Sequence, residues 1–309
     1  MLRTSTRHSS ARPALGSSAP LHKHAPLMTS VIRVAHSPDS DDAFMFYALA
    51  EGLVDTEGLT YVHELQDIES LNQRALRGEL EVTAVSIHAY ASLGDRYALL
   101  TSGASMGDGY GPRLVARTSA DGSDSLPGPR GKRIAIPGPL TSAYLALRLY
   151  EPDFIAVPMA FDRIEDAVAN AEVDMGLLIH EGQLTYGDRA LSLVADLGAW
   201  WLEKTGLPLP LGGNVVRKDL GVDVVRKISR HLRASIEYGL SHRAGALDHA
   251  MKYARGLDRA QADTFVGMYV NDWTLDYGER GRRAITEFLS QGARAGLIGP
   301  DFRVEFVED

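Results

Sequence analysis

The order of strand-like and helix-like runs constrains this chain more than any single motif. A β-rich run at 31–35 ends at Ser37-Pro38 and reads as a strand. Asp39, Ser40, Asp41 and Asp42 then offer N-cap candidates for the apolar run 43–49. A second strand is predicted near 61–65, and in the segment after it Ile68, Leu71, Ala75 and Leu76 fall at helical spacing. Residues 82–87 read as a third strand. A stretch rich in Asp, Gly, Ser and Pro at 121–131 marks a candidate boundary. The pattern then restarts, with strands at 133–136, 154–158 and 175–179 and helices at 141–150 and 163–171. Strands alternating with helices imply parallel pairing through crossover helices. From 222 onward the chain is nearly all helical, with Val224, Val225, Ile228, Leu232 and Ile236 on one face. A strand-poor third cannot easily build its own sheet, so it is expected to pack back on the first unit. The expected fold class is α/β, with two lobes, each a mostly parallel sheet flanked by helices, and a ligand cleft between them. The expected limits are a disordered tail at 1–29, lobe one at 30–117 plus 214–309, and lobe two at 118–213.

Composition excludes several chemistries. The absence of cysteine removes disulfides, thiolate metal sites and cysteine nucleophiles. Formal charge is −8, yet residues 1–28 hold Arg3, Arg7, Arg12 and Lys23 and no acid, so the remainder carries −12. A body that acidic is a poor partner for nucleic acid or an anionic membrane. No run approaches the ~18 apolar residues a membrane span needs. Residues 1–28 lack the apolar stretch of a secretory signal. They read as a disordered tail, or as an extension upstream of a true start at Met28. A cytoplasmic protein is expected. The oligomeric state is left open.

Ligands in open parallel sheets bind beyond the carboxyl ends of strands. Polar groups stand at several such ends: Ser37 and Asp39, Ser86 and His88, the turn from Pro137 to Ser142, and His180-Glu181. The Pro137-Gly138 turn opens a helix, so backbone N–H groups and the hydroxyls of Thr141 and Ser142 could cradle an anion. A plain N-cap is the alternative. His180 follows the apolar run 175–179 and is either a general base or a buried histidine bonded to backbone. Glu181 beside it should face the other way on extended chain and be solvated. Trp200-Trp201 could wall an aromatic ligand or pack as a crossover segment. The glycines of 107–111 precede a strand-like run, Leu114-Val115-Ala116, not a helix, so they read as a turn and not a dinucleotide fingerprint. Asp39, Asp41 and Asp42 could bind a hard cation, but acids at a helix start are the simpler reading. Neither a metal nor an organic cofactor is expected.

Several stretches together resemble the 1,4-dihydroxy-6-naphthoate synthase family, which uses a type II periplasmic-binding-protein fold for catalysis. They include Ser37-Pro38 with Asp42 and Phe44, Phe161-Asp162-Arg163-Ile164, Ile179-His180-Glu181, and the block from Asp196 to Trp201 with Thr205 to Gly212. The family often reads Ser-Pro-Cys-Pro-Asn-Asp where this chain has Ser37-Pro38-Asp39-Ser40-Asp41-Asp42. The resemblance implies that His180 is the catalytic base. It also implies substrate contacts from Ala84, Val85 and Ser86 and from Ser142 and Ala143, and Thr141, Ser37 and Asp39 are expected beside them. The implied activity is cofactor-free carbon–carbon lysis of cyclic dehypoxanthine futalosine, an aromatic carboxylate, in menaquinone biosynthesis. The products would be 1,4-dihydroxy-6-naphthoate and dihydroxyacetone. Chorismate dehydratase and a non-catalytic solute-binding protein of the same fold are the alternatives.

With no apolar face to bury, the segment 1–28 should contribute nothing to the folded body. Its deletion should leave both melting temperature and turnover unchanged, and thermal scans of the two forms beside activity assays check this.

Overall fold

A computed structural model of the protein describes residues 31–118 and 128–307. The expected tail and most of the 121–131 stretch lie outside the described residues. The strands are β1 (Val31–His36), β2 (Thr60–Leu65), β3 (Val82–Ser86), β4 (Tyr97–Leu99), β5 (Ser105–Gly107), β6 (Arg113–Arg117), β7 (Arg133–Ile136), β8 (Ile155–Pro158), β9 (Met175–Leu178), β10 (Leu191–Asp196) and β11 (Leu209–Arg217). They form two sheets. One runs β2-β1-β3-β11-β4 with β5 also on β11, and the other runs β10-β6-β9-β7-β8.

Each sheet is mixed, which corrects the expectation of mostly parallel pairing. β1 pairs in parallel with β2 and β3, but β11 runs antiparallel to β3, β4 and β5. In the second sheet β7 is parallel to β8 and β9, while β6 is antiparallel to β9 and β10. The reversed strands are those by which the chain passes between the sheets. Having left one sheet, the chain enters the other and there runs against the strands beside it. β6 lies in the second sheet and β11 in the first. We therefore propose crossings just before β6 and just before β11, each slightly earlier than the limits expected after 117 and after 213.

The helices are α1 (Ser40–Ala50), α2 (Ile68–Arg77), α3 (Ile87–Tyr90), α4 (Ser142–Tyr150), α5 (Ile164–Ala169), α6 (Gly182–Thr185), α7 (Leu197–Thr205), α8 (Val222–Ser241), α9 (Arg243–Ala250), α10 (Arg259–Tyr269), α11 (Asp272–Leu275) and α12 (Gly278–Arg294). Side-chain caps fix the starts that matter for the cleft. Asp39 accepts from the Asp42 N–H at the head of α1, and Thr141 accepts from the Tyr144 N–H at the head of α4. C-terminal helices pack against the helix that follows β1. Ile228, Leu232 and Ile236 of α8 join Phe44 and Phe46 of α1 and Phe265 of α10 in one buried cluster. Helix α12 instead spans both sheets, burying Ile285, Phe288 and Leu289 in a cluster that also holds Val85 of β3 and Ile136 of β7.

Trp201 belongs to that shared core. It is fully buried, donates from Nε1 to the Pro208 carbonyl at 3.2 Å and meets the Phe288 ring edge-on at 5.3 Å. The tryptophan block is thus packing, and the sequence behind it makes the crossing back to the first sheet. Gly198, on the first turn of α7, is required by contact: a Cβ there would lie 1.8 Å from the Tyr110 carbonyl oxygen. The opposing atoms are backbone and cannot rotate away. Gly198→Ala should therefore destabilise the protein by about 1–3 kcal/mol or more, the usual range for overpacking, measured as a lower urea midpoint at unchanged slope.

Candidate active site

The strand ends converge as the topology requires. A cavity between the two sheets is lined from the first sheet's side by Ser37, Asp39, Asp41, Ala84, Val85 and Ser86. Thr141, Ser142, Ala143 and His180 line it from the second. All the residues expected from sequence to touch substrate are therefore brought to one space.

At its centre His180 meets Asp39. The chain leaves β9 at Leu178, and His180 takes a left-handed backbone, φ 55°. This conformation is costly for a residue with a Cβ and is held only where surrounding contacts fix it. The contact that fixes it lies across the cleft: Nδ1 stands 2.8 Å from Asp39 Oδ2. Phe161 packs edge-on against the imidazole at 4.8 Å, and Arg255 lies over the outer face of Phe161 at 4.6 Å. His180 Nε2 is out of contact with solvent and has no partner. Burial opposes charge on both groups, but each relieves the other. Desolvation would lower His180, yet the Asp39 charge and hydrogen bond raise it above the ordinary imidazole value. Desolvation likewise would raise Asp39, but His180 holds it down at about 2. With Nδ1 committed to Asp39, the nitrogen that can take a proton from a ligand is Nε2.

Glu181 corrects the expectation of a solvated side chain. It is 5% exposed, its Oε1 has no partner, and burial pushes its carboxyl up. The alternation rule fails because the strand has already ended; the turn at His180 carries Glu181 inward at the head of α6.

The helix start at Thr141 and Ser142 departs from expectation in its hydroxyls. Both hydroxyls are engaged in structure. Thr141 Oγ1 donates to the Gly138 carbonyl at 2.8 Å, and Ser142 Oγ donates to the Leu211 carbonyl at 2.6 Å while accepting from the His88 N–H at 3.1 Å. What remains for a ligand is the backbone: the N–H groups of Ser142 and Ala143 open α4, where no carbonyl of the same helix can reach them. Opposite them, Ser86 is held by Asn72, which donates to Ser86 Oγ at 3.1 Å and accepts from its N–H at 2.8 Å. Ser37 is fixed in turn by donating its N–H to Asp42 Oδ2 at 2.7 Å.

Sequence reasoning missed three contributors. Asn214 on β11 lines the cavity, 1% exposed, with Oδ1 unpartnered and Nδ2 donating to the Gly103 carbonyl at 3.2 Å. Gln183 of α6 meets the Tyr269 hydroxyl of α10 at 2.7 Å, so this pair also bridges the cleft. The polar Asn214 within the apolar run of β11 was a readable signal. Gln183 and Tyr269 had none, because they meet only in space. Among the described residues no group of three or more His, Asp or Glu is arranged to hold a metal ion, and no helix is long and apolar enough to cross a membrane.

Two mixed α/β sheets with a ligand cavity at their facing strand ends define a two-lobed, periplasmic-binding-protein-like protein. The solved structures agree. A ligand-binding component of an ABC-type import system from Staphylococcus aureus superposes with a TM-score of 0.65 at 13% identity, over 91% of this chain and 97% of that one. An Archaeoglobus fulgidus protein superposes at 0.82 with 49% identity, over 90% of this chain and all of the other. The menaquinone biosynthesis family profile matches residues 32–294. A 1,4-dihydroxy-6-naphtoate synthase of Thermus thermophilus is 42% identical over 276 residues, 89% of this chain and 99% of the relative. The chain belongs to this menaquinone biosynthesis family and is an enzyme of that route.

The Asp39 contact makes a pH prediction. A base must be unprotonated to act, and His180 is raised above 6.5, so the acid limb of kcat/KM should lie above that value. In Asp39→Asn the raising influence goes and desolvation remains. The limb should then move to lower pH. The plateau should fall as well, since an amide can turn its NH₂ toward Nδ1 and leave the proton on Nε2. A pH series of kcat/KM on both forms reads this; a limb that stays in place detaches Asp39 from His180.

Proposed function

We propose that the chain converts cyclic dehypoxanthine futalosine to 1,4-dihydroxy-6-naphthoate and dihydroxyacetone in the cytoplasm, with His180 as general base and without a metal or organic cofactor. The observation that carries this reading is the buried, unpartnered Nε2 of His180, a lining residue of the cavity, with Asp39 on the opposite ring nitrogen. Such an imidazole has a fixed orientation and a defined accepting atom, as proton abstraction demands. The base takes a proton, the sugar-derived ring opens, and formation of the aromatic ring draws the reaction forward. The substrate carboxylate would rest on the backbone N–H groups of Ser142 and Ala143. There the helix dipole favours an anion without a cationic side chain. Ala84, Val85 and Ser86 would face the remainder of the ligand, with Ser37 beside them, and closure around it excludes water.

The 42% identity to a named synthase supports this substrate over chorismate. Separate incubations of purified protein with chorismate and with the cyclic futalosine derivative should yield product only from the latter. A product from chorismate would assign the chain to the dehydration step instead, and binding without conversion of either would make it a solute-binding protein. His180→Ala should lower kcat by about 10²–10⁴-fold, the usual cost of losing a general base, while an aromatic carboxylate still binds by calorimetry.

A further inference from the structure

The cleft holds an acid that the proposed reaction leaves unused. Asp41 lines the cavity from the first turn of α1, is 8% exposed, and its Oδ1 has no hydrogen-bond partner. Its two neighbours are occupied. Asp39 faces His180, and Asp42 accepts from the Ser37 N–H. Asp41 alone among them points a free carboxyl oxygen at whatever fills the cavity.

The charges around it decide its form. Among the described residues no Lys or Arg side chain lines the cavity. The acids facing Asp41 are Asp39 and Asp42 on its own helix and Glu181 from the second sheet's side, with the Tyr269 hydroxyl nearby on α10. His180 can become cationic on taking a proton, and Asp39 is already its partner. A second ionised carboxylate would stand beside Asp39 and against an anionic substrate with nothing to balance it. The carboxyls of Asp39 and Asp41 interact, each shifting the other; two ionised carboxylates so placed repel, and a proton between them removes the repulsion.

We propose that Asp41 meets the substrate as a neutral carboxylic acid, sharing its proton with Asp39 and accepting a hydrogen bond from a substrate hydroxyl at its carbonyl oxygen. Its ligand is thus the hydroxylated, sugar-derived part of the molecule, while the carboxylate lies at the head of α4. This assignment of parts rests on the function proposed above. Burial and then the Asp39 charge push the Asp41 carboxyl well above the carboxylate range, in keeping with the geometry. Two adjacent aspartates therefore take opposite forms: Asp39 ionised to hold the base, Asp41 neutral to hold the hydroxyl.

Asparagine reproduces this arrangement, because its NH₂ donates to Asp39 and its carbonyl accepts from the hydroxyl. Asp41→Asn should keep KM and kcat within about threefold of wild type, whereas Asp41→Ala should raise KM about tenfold or more through the unpaired buried hydroxyl. Where Asp41→Ala does not fold, Asp41→Ser takes its place, since it also lacks the carbonyl. Infrared difference spectra of the ligand-free protein, wild type minus Asp41→Asn, should contain the C=O stretch of a protonated carboxylic acid. A carboxylate band in its place, or loss of more than about tenfold in Asp41→Asn, overturns the proposal. So does an unchanged KM in the variants that lack the carbonyl. The infrared measurement needs no substrate. A protein that shows the acid band yet fails to convert the cyclic futalosine derivative overturns the proposed function and keeps the neutral acid.

Discussion

The Asp39–His180 contact is the constraint on which the site depends. Neither group could remain charged alone in so dry a place, because desolvation acts against both. Joined, each offsets the other's burial, and the contact is made across the cleft between the ends of β1 and β9. Asp39 also caps α1 through the Asp42 N–H, so the carboxylate that orients His180 is tied to the helix of the opposite unit. The left-handed backbone at His180 is sustained by the same contact, together with Gln183, which donates its N–H to the His180 carbonyl at 3.1 Å.

Around that pair, positive character comes from backbone and not from side chains. Arg113 is one candidate to have supplied it, but its guanidinium donates to the Gln183 carbonyl at 2.7 Å and faces Asp196. It serves to hold α6 beside β6. The same economy explains the serine and threonine at the head of α4. Their hydroxyls fix the turn and tie it to β11 and α3, so that the N–H groups are rigid before a ligand arrives.

Much of this was legible from residue order. Alternating patterns located β1, β3, β7, β9 and the helices between them, and the strand-end rule drew Ser37, Ser86, Thr141 and His180 to one cavity before any contact was known. What could not be read had specific causes. β4 and β5 are only three residues long and carry no periodicity, and their pairing depends on β11, more than a hundred positions away. Mixed pairing was hidden because a strand's pattern of apolar residues does not encode its direction. Glu181 was misjudged by extending strand geometry past the end of its strand. The hydroxyls of Thr141 and Ser142 looked like ligand donors because composition cannot show that a neighbouring carbonyl has already claimed them.

The position of β11 reaches into how the chain is made. It is hydrogen-bonded to β3, β4 and β5, so it completes the sheet begun by the first residues of the body. Yet it follows every strand of the second sheet in the chain. During synthesis from the N-terminus the second sheet has all its strands first, while β3 waits with an open edge whose residues, Val82 to Ser86, are all buried in the finished protein. An unpaired apolar edge is a template for adhesion to other chains. The vulnerable interval in the life of this protein is therefore the passage of the ribosome through the second sheet, and it ends when one late strand slots between two early ones.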